Sequence, residues 1–171
     1  RIRAEYQGKL LAIGSDGAAL AVALKAYEKL ADVIGRIGSF AGLLYYANTS
    51  DGDRAKFFGD MQTKITAIST ELVFFELEMN QIDDAAIAKA LAHPDLARYA
   101  PWFADLRKEK PYQLEEQLER LFVEKAATSR AAWDRLFNET MAALRFEVEG
   151  EAKPLSLEPT RNLLMHPESA R

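Results

Sequence analysis

Three glutamates stand in one of the most apolar stretches of the chain and are the first candidates for chemistry. Glu71, Glu76 and Glu78 lie within ELVFFELEMN, residues 71–80. A carboxylate in apolar surroundings is unstable unless it is paired, hydrogen-bonded or bound to a metal. The three glutamates could therefore be an acid and a base, metal ligands, or structural groups with partners elsewhere in the fold.

The spacing of these glutamates does not produce a side-by-side pair. On a helix, Glu71 and Glu78 share one flank two turns apart, and Glu76 lies on the other flank. A metal site made only of carboxylates, from Glu28, Glu71 and Glu78, is conceivable, but buried acids are more often paired with basic side chains. The sequence does not choose among the candidate partners, which are Arg36, Arg130 and Arg135.

The two histidines lack the spacing of a metal site. His93 and His166 each precede a proline, which is typical of a helix start. A hydrolytic zinc site of the HExxH type needs two histidines one turn apart with a glutamate between them. A di-iron bundle needs Glu-x-x-His on two helices. Neither pattern occurs in the sequence, so we predict no catalytic, cofactor-binding or metal-binding residue in this chain.

Other reactive motifs are also missing from the sequence. No G-x-S-x-G surrounds Ser39, and neither phosphate-binding glycine pattern is present. The chain has no cysteine, which excludes disulfides, thiolate zinc sites and cysteine nucleophiles. Trp102 and Trp133 lie on apolar stripes and are expected to pack in the core.

The composition is that of a globular protein with a small net negative charge. The chain has 171 residues, of which 49% are hydrophobic and 28% charged, and its net charge is −4. That length suffices for one domain with a sizeable core. Basic residues are scattered and apolar runs are short, so we expect neither a nucleic-acid partner nor a membrane span. A cytoplasmic location is expected, which the lack of cysteine fits.

Helical spacing of apolar residues over most of the chain predicts an all-α, multi-helix bundle. The run from residue 18 to Tyr46 is long enough for two helices, or for one helix kinked at Gly35 and Gly38. The clearest apolar seam consists of Phe58, Met61, Ile65, Ile68, Leu72, Phe75 and Met79. Two later stripes are also expected to face the core, namely Leu114, Leu118, Leu121 and Phe122, and then Trp133, Leu136, Phe137, Met141 and Leu144.

One small β-hairpin is predicted near the C-terminus. Phe146 and Val148 alternate before Gly150, and Leu155 and Leu157 alternate after it. The last six residues, HPESAR, are predicted to begin another helix. Since the chain begins and ends within predicted helices, residues 1–171 are interpreted as a single helical domain from the N-terminal half of a larger protein.

Several segments together resemble the N-terminal region of the oligoendopeptidase F family, which are zinc metallopeptidases of the thimet oligopeptidase type. The resemblance runs from about Tyr6 to Arg171. Its segments include LLYYANTSD, ELVFFELEMNQIDD, LARYAPWFADLRKEKPYQL and LSLEPTRNLL. Its most specific parts are FFELE and EKAATSRAAWDRLF. Tyr112 departs from the pattern, because many relatives have a histidine there, and no role is attached to it.

The resemblance implies a noncatalytic domain that forms one wall of a channel for short peptides. Zinc is then expected in a C-terminal catalytic domain of the same polypeptide, which is the implied partner, and none of the family's zinc or acid–base residues maps onto this chain. The three glutamates would be structural, with basic side chains or helix ends as partners. The alternative is a free-standing α-helical module that binds a partner protein through an apolar groove. Such exposed apolar surface could also pair two copies of the chain.

Overall fold

The structure, a computed structural model, describes residues 1–165 and is helical almost throughout. The all-α prediction is confirmed. A 3₁₀ turn, Lys110–Tyr112, follows the sixth helix. In chain order the helices are α1 (Ile2–Tyr6), α2 (Gly17–Tyr46), α3 (Gly52–Gln81), α4 (Asp84–Leu91), α5 (Pro94–Ala97), α6 (Ala100–Glu109), α7 (Glu116–Ala126), α8 (Arg130–Ala143) and α9 (Leu157–Leu163). None of these helices combines the length and the apolar character that crossing a membrane requires.

Helices α2 and α3 are the two long elements, with 30 residues each, and they pack against each other. Both begin at an aspartate whose side chain accepts backbone N–H groups of the first turn. Asp16 caps α2 and Asp51 caps α3. The α2 helix continues without interruption through Gly35 and Gly38, so the run forms one helix rather than two.

The short helices begin where local signals predict. Asp83 caps α4 through the backbone N–H of Ala85. Pro94 and Pro101 stand in the first turns of α5 and α6, where the missing N–H of proline costs nothing. The predicted helix in HPESAR lies outside the described residues.

The hydrophobic core lies at one end of the α2–α3 pair. It is built from the beginning of α2, the end of α3, the N-terminal segment and helices α4 to α6. Phe75 is at its centre, stacked on Tyr27 with ring centroids 4.3 Å apart and meeting Tyr6 edge-on at 6.5 Å. Of the predicted seam on α3, Phe75 and Met79 are fully buried, whereas Ile68 is exposed, because α4 to α6 cover only the end of the helix.

The apolar stripes of α7 and α8 do not face the core, and this prediction is wrong. Helix α7 packs on α3, and α8 packs on α7. Met141 is half-buried, but the other members of the two stripes are exposed, among them Phe122 and Phe137 at 62% and Trp133 at 72%. An amphipathic pattern establishes which side of a helix is apolar, but not what that side contacts. Trp102, in contrast, is half-buried and packs against Phe103.

The predicted β-hairpin is also wrong. Residues 144–156 turn at Gly150, whose φ of 89° suits glycine, but they form a single antiparallel bridge between Phe146 and Leu155. The two hydrogen bonds of this bridge measure 2.9 Å each. The pairing between residues 144 and 156 is limited to this bridge, because a two-stranded ribbon without further packing is marginal in water.

Candidate functional site

The glutamates of α3 are the sequence-predicted candidates, and each has structural partners. Glu71 accepts hydrogen bonds from Arg3 of α1 and, at 3.1 Å, from Arg120 of α7. These bonds, first from Arg3 and then from Arg120, lower the pKa of Glu71 below its ordinary value of 4.5. Glu71 therefore links three helices and is held in its ionised form.

Glu78 binds backbone rather than a basic side chain. Its two carboxylate oxygens accept the N–H groups of Gly8 at 2.7 Å and Leu10 at 3.3 Å. These residues lie in the turn that follows α1 and are not otherwise part of a helix. Glu78 thus fixes the N-terminal segment to the same flank of α3 that Glu71 occupies, as the helical spacing predicts.

Glu76 lies on the other flank and accepts a hydrogen bond of 3.0 Å from the hydroxyl of Tyr27 in α2. Burial, followed by the charge of Glu76, raises the pKa of the Tyr27 hydroxyl well above its ordinary value. Tyr27 is therefore a neutral donor at any physiological pH, and this contact joins α2 to α3.

The conceivable carboxylate metal site is not assembled. Glu28 is bound by Arg98 and by the Tyr99 hydroxyl, so it shares no partner with Glu71 or Glu78. Among residues 1–165, no three side chains of His, Cys, Asp or Glu converge as a metal site would require. The side chains of residues 1–165 do not offer the ligands of the zinc that the resemblance implies for a separate catalytic domain.

The three arginines considered as partners for the glutamates are not the ones that bind them. Arg36 pairs with Asp32 at 4.0 Å within α2, and Arg130 pairs with Asp134 at 3.7 Å within α8. Arg135 instead lines a pocket of about 110 Å³ beside the stacked rings of Tyr45 and Phe58. Arg36 and Arg130 pair with acids one turn away on their own helices, whereas the partners that bind the glutamates of α3 are far from them in sequence.

His93 has the helix-start role that its sequence position predicts. Its Nδ1 atom accepts the backbone N–H of Asp95 at 3.3 Å, which makes it the N-cap of α5. His166 lies outside the described residues.

A buried polar network at the end of α3 was missed from the sequence. Asn80 is 1% exposed, and its Nδ2 donates to the carbonyl of Leu106 at 2.9 Å. Arg107 donates through Nη1 to the carbonyl of Asn80 at 2.6 Å and to its Oδ1 at 3.1 Å, and through Nη2 to the carbonyl of Ile82 at 2.6 Å. The guanidinium therefore serves as a cap for the carbonyls that end α3. An asparagine within an apolar helix end was the signal that could have revealed it.

Two open grooves adjoin along α3 and form a surface that combines apolar and charged groups. One, of about 370 Å³, lies between α2, α3 and α7. The other, of about 360 Å³, lies between α3, α7 and the 3₁₀ turn. They share Val73, Glu76 and Val123, so they are continuous, and together they are called the α3 groove below.

A second surface is almost purely apolar. Along α2, Val33, Ile37, Phe40 and Leu43 are exposed, and Phe57 of α3 lies opposite them. The cleft that they line is wide and open to solvent, and Asp32 and Arg36 are at its edge. It is called the α2 cleft below.

A family comparison supports the resemblance that the sequence suggests. The sequence model of the family described as oligopeptidase F, in its N-terminal part, matches residues 78–146, which is less than half of the chain. Comparisons with curated proteins and with solved structures gave no match. The matched region extends from the end of α3 to Phe146 and includes both the Asn80–Arg107 network and the exposed faces of α7 and α8. Residues 78–146 thus resemble the N-terminal part of the oligopeptidase F family of peptidases.

Proposed function

We propose that the chain is the noncatalytic N-terminal domain of a zinc-dependent oligoendopeptidase and forms one wall of the channel that admits short peptides. The observation that carries the proposal is the apolar face of α7 and α8, which lies inside the region that matches the family and is exposed to solvent. A series of large apolar side chains on one surface is typical of an interface. We infer that the catalytic domain of the same polypeptide covers it.

The noncatalytic role is supported by what the acidic side chains already do. Glu71, Glu76 and Glu78 hold helices and a turn together, and each has a partner suited to an ionised carboxylate. Because their oxygens serve the fold, we assign hydrolysis to residues of the catalytic domain. The zinc and its ligands would belong to that domain.

A peptidase assay tests the division of labour. This chain and the polypeptide encoded by the complete gene are each assayed on a quenched fluorescent peptide, with and without a zinc chelator. We expect cleavage only by the complete polypeptide, and we expect the chelator to abolish it. Chelator-sensitive cleavage by this chain alone would overturn the proposal.

Tryptophan fluorescence tests whether the α7–α8 face is covered. Trp133 is 72% exposed in this chain, and Trp102→Phe leaves it as the single tryptophan. In the complete polypeptide, any further tryptophans are replaced by phenylalanine so that only Trp133 emits. There we expect the Trp133 emission to be blue-shifted, and its quenching by acrylamide to be weaker, than in the isolated chain. Emission and quenching equal to those of the isolated chain would show that this face is not the domain interface.

The second candidate is a free-standing helical module that binds a partner protein, and the α2 cleft favours it. That cleft is apolar and open, and it is separate from the α7–α8 face. The two candidates differ in the gene, since only a peptidase requires a downstream zinc-binding motif. A gene without such a motif would favour the interaction module.

A further inference from the structure

We propose that the α3 groove binds a short basic peptide, with an apolar side chain on its floor and Lys or Arg side chains at its rim. The proposal rests on the proposed function and deepens it, because it names the class of peptide that the wall would attract. It concerns binding by this chain itself and is independent of the catalytic step.

The floor of the groove is apolar and comes from three helices. Ile34 belongs to α2, Leu72 and Val73 to α3, and Val123 to α7. All four side chains are half-buried, so each keeps apolar surface open to a ligand. A leucine-sized side chain placed there would lose its contact with water on several sides, which is the source of affinity for an apolar group.

The rim of the groove is acidic in the part of the chain that the structure describes. Glu76, Glu109 and Glu119 line it, and its lining within residues 1–165 includes no Lys, Arg or His. Glu76 and Glu119 each use an oxygen for a structural bond, to the Tyr27 hydroxyl and to the Leu114 N–H at 2.8 Å. The carboxylate of Glu109 forms no hydrogen bond or ion pair with residues 1–165. Negative charge is therefore concentrated at one edge of an apolar surface, which favours a cationic ligand.

The shape of the groove favours a peptide over a metal ion. A cation such as Ca²⁺ needs several oxygens that converge at bonding distance. No such group of acidic side chains occurs in the described part of the chain. The glutamates are instead spread over α3, the end of α6 and α7, so they suit separate positive groups along an extended chain. Tyr112 and Gln113 offer further polar contacts between them.

The α2 cleft is comparable in apolar character, but its charges do not identify a ligand. It contains one acid and one base, Asp32 and Arg36, which pair with each other. Of these two apolar surfaces, charge complementarity points to the α3 groove.

Fluorescence anisotropy with matched peptides tests the proposal. The probes are three pentapeptides with an amidated C-terminus and a fluorophore on the N-terminus, so that neither terminus is charged. Their sequences are Ala-Lys-Leu-Lys-Ala, its acidic counterpart Ala-Glu-Leu-Glu-Ala, and Ala-Lys-Ser-Lys-Ala. We expect the first to bind this chain at least about tenfold more tightly than the acidic peptide at low salt, and the difference to shrink as salt screens the charges. The serine peptide is expected to bind more weakly than the leucine peptide because it lacks the apolar anchor.

Charge-neutral variants locate the binding site. Glu109→Gln and Glu119→Gln should each weaken binding of the basic leucine peptide by about two- to fivefold, as expected for loss of one exposed charge pair. The matched control is Glu124→Gln, which removes the same charge from α7 outside the groove and should change the affinity little. Circular dichroism and thermal unfolding verify that the variants are folded. Glu109→Gln breaks no hydrogen bond or ion pair with residues 1–165, so it should be folded.

The outcomes separate this inference from the proposed function. Equal affinity for basic and acidic peptides, no measurable binding, or an equal effect of Glu124→Gln and Glu109→Gln would overturn the groove as a site for basic peptides. The peptidase assay of the complete polypeptide would be unaffected by any of these results. Conversely, groove binding together with a gene that lacks a zinc motif would overturn only the peptidase role.

Discussion

Replacing Arg107 by methionine should destabilise the domain more than any exposed charge change of the same kind. The guanidinium makes three hydrogen bonds to the end of α3, two of them at 2.6 Å to backbone carbonyls. Methionine retains the aliphatic part of the side chain and removes the donors. The carbonyls that end α3 would then lose their cap, and Asn80 would lose one of its two partners.

The magnitude follows from the burial of the network. A hydrogen bond from a charged donor contributes about 1.5–3 kcal/mol, but the three bonds share one guanidinium and are not additive. The side chain of Arg107 is 18% exposed, so water can replace part of what is lost. Its Nε atom lies 2.9 Å from Asp84 Oδ1 without hydrogen-bond geometry, and that carboxylate is 81% exposed, so this ion pair adds little. We expect a loss of about 3 kcal/mol in the free energy of unfolding.

Urea unfolding followed by circular dichroism measures the loss. With a slope of about 2 kcal/mol per molar urea, the midpoint should fall by roughly 1.5 M. Arg107→Lys should lie between wild type and methionine, because one ammonium cannot reach both carbonyls in the way that a planar guanidinium does.

The neighbouring residue provides the matched control. Lys108 is 73% exposed and pairs with Asp105 at 2.7 Å, so Lys108→Met should cost less than about 1 kcal/mol. If Arg107→Met lowers the free energy of unfolding no more than Lys108→Met does, the network is not the stabilising cap that we infer.

Three further changes test other contacts. Glu78→Ala should speed amide hydrogen exchange in the turn after α1 and cost about 1–2 kcal/mol, because two backbone N–H groups lose their acceptor; unchanged exchange there would refute the contact. Hydrogen bonds from Arg3 and Arg120 lower the pKa of Glu71 in the folded protein. The ionised Glu71 carboxylate therefore stabilises the fold fully at a pH above its ordinary pKa of 4.5, and this stabilisation is lost as the pH falls through its lower pKa in the folded state. Arg120→Gln should raise the midpoint of the Glu71 carboxyl titration measured by NMR, and an unchanged midpoint would contradict this. Gly17→Ala should lower the melting temperature, because a Cβ there would lie 2.5 Å from the His93 side chain. Gly35→Ala should instead stabilise α2 by about 0.5–1 kcal/mol, because its Cβ would meet no atom of the described residues within 4 Å. Equal effects of the two changes on the melting temperature would contradict the packing at Gly17.

The helices and their starts were predictable from the sequence because their signals are local. Asp83, Pro94 and Pro101 mark helix starts within a few residues of themselves, and the structure has them there. The hairpin prediction failed because alternation indicates a strand but does not show whether another element packs on the ribbon and stabilises it.

The partners of the site residues were not predictable in the same way. Glu71 and Arg3 are 68 positions apart, and Asn80 and Arg107 are 27 apart, so no periodicity connects them. The assignment of the three glutamates to the two flanks of α3 was correct, because it depends only on helical geometry. Identifying which arginine reaches which flank requires the arrangement of whole helices.

Which surface the apolar stripes of α7 and α8 face also depends on the arrangement of whole helices, which the sequence does not give. Their spacing correctly predicted amphipathic helices, and the structure shows that the apolar sides are open to solvent. A sequence pattern is identical whether the apolar partner is part of the same chain or of another surface. The error therefore carries functional information, because it indicates where an interface is to be expected.

The placement of the core at one end of α2 and α3 has a mechanical consequence. Helices of 30 residues are about 45 Å long, so the far ends of this pair are distant from their main anchorage. A rigid tilt of about 5° at the anchored end would carry the other end through roughly 4 Å for that length. Small repacking around Phe75 would thus be amplified into a displacement of several ångströms at the distal half of the pair.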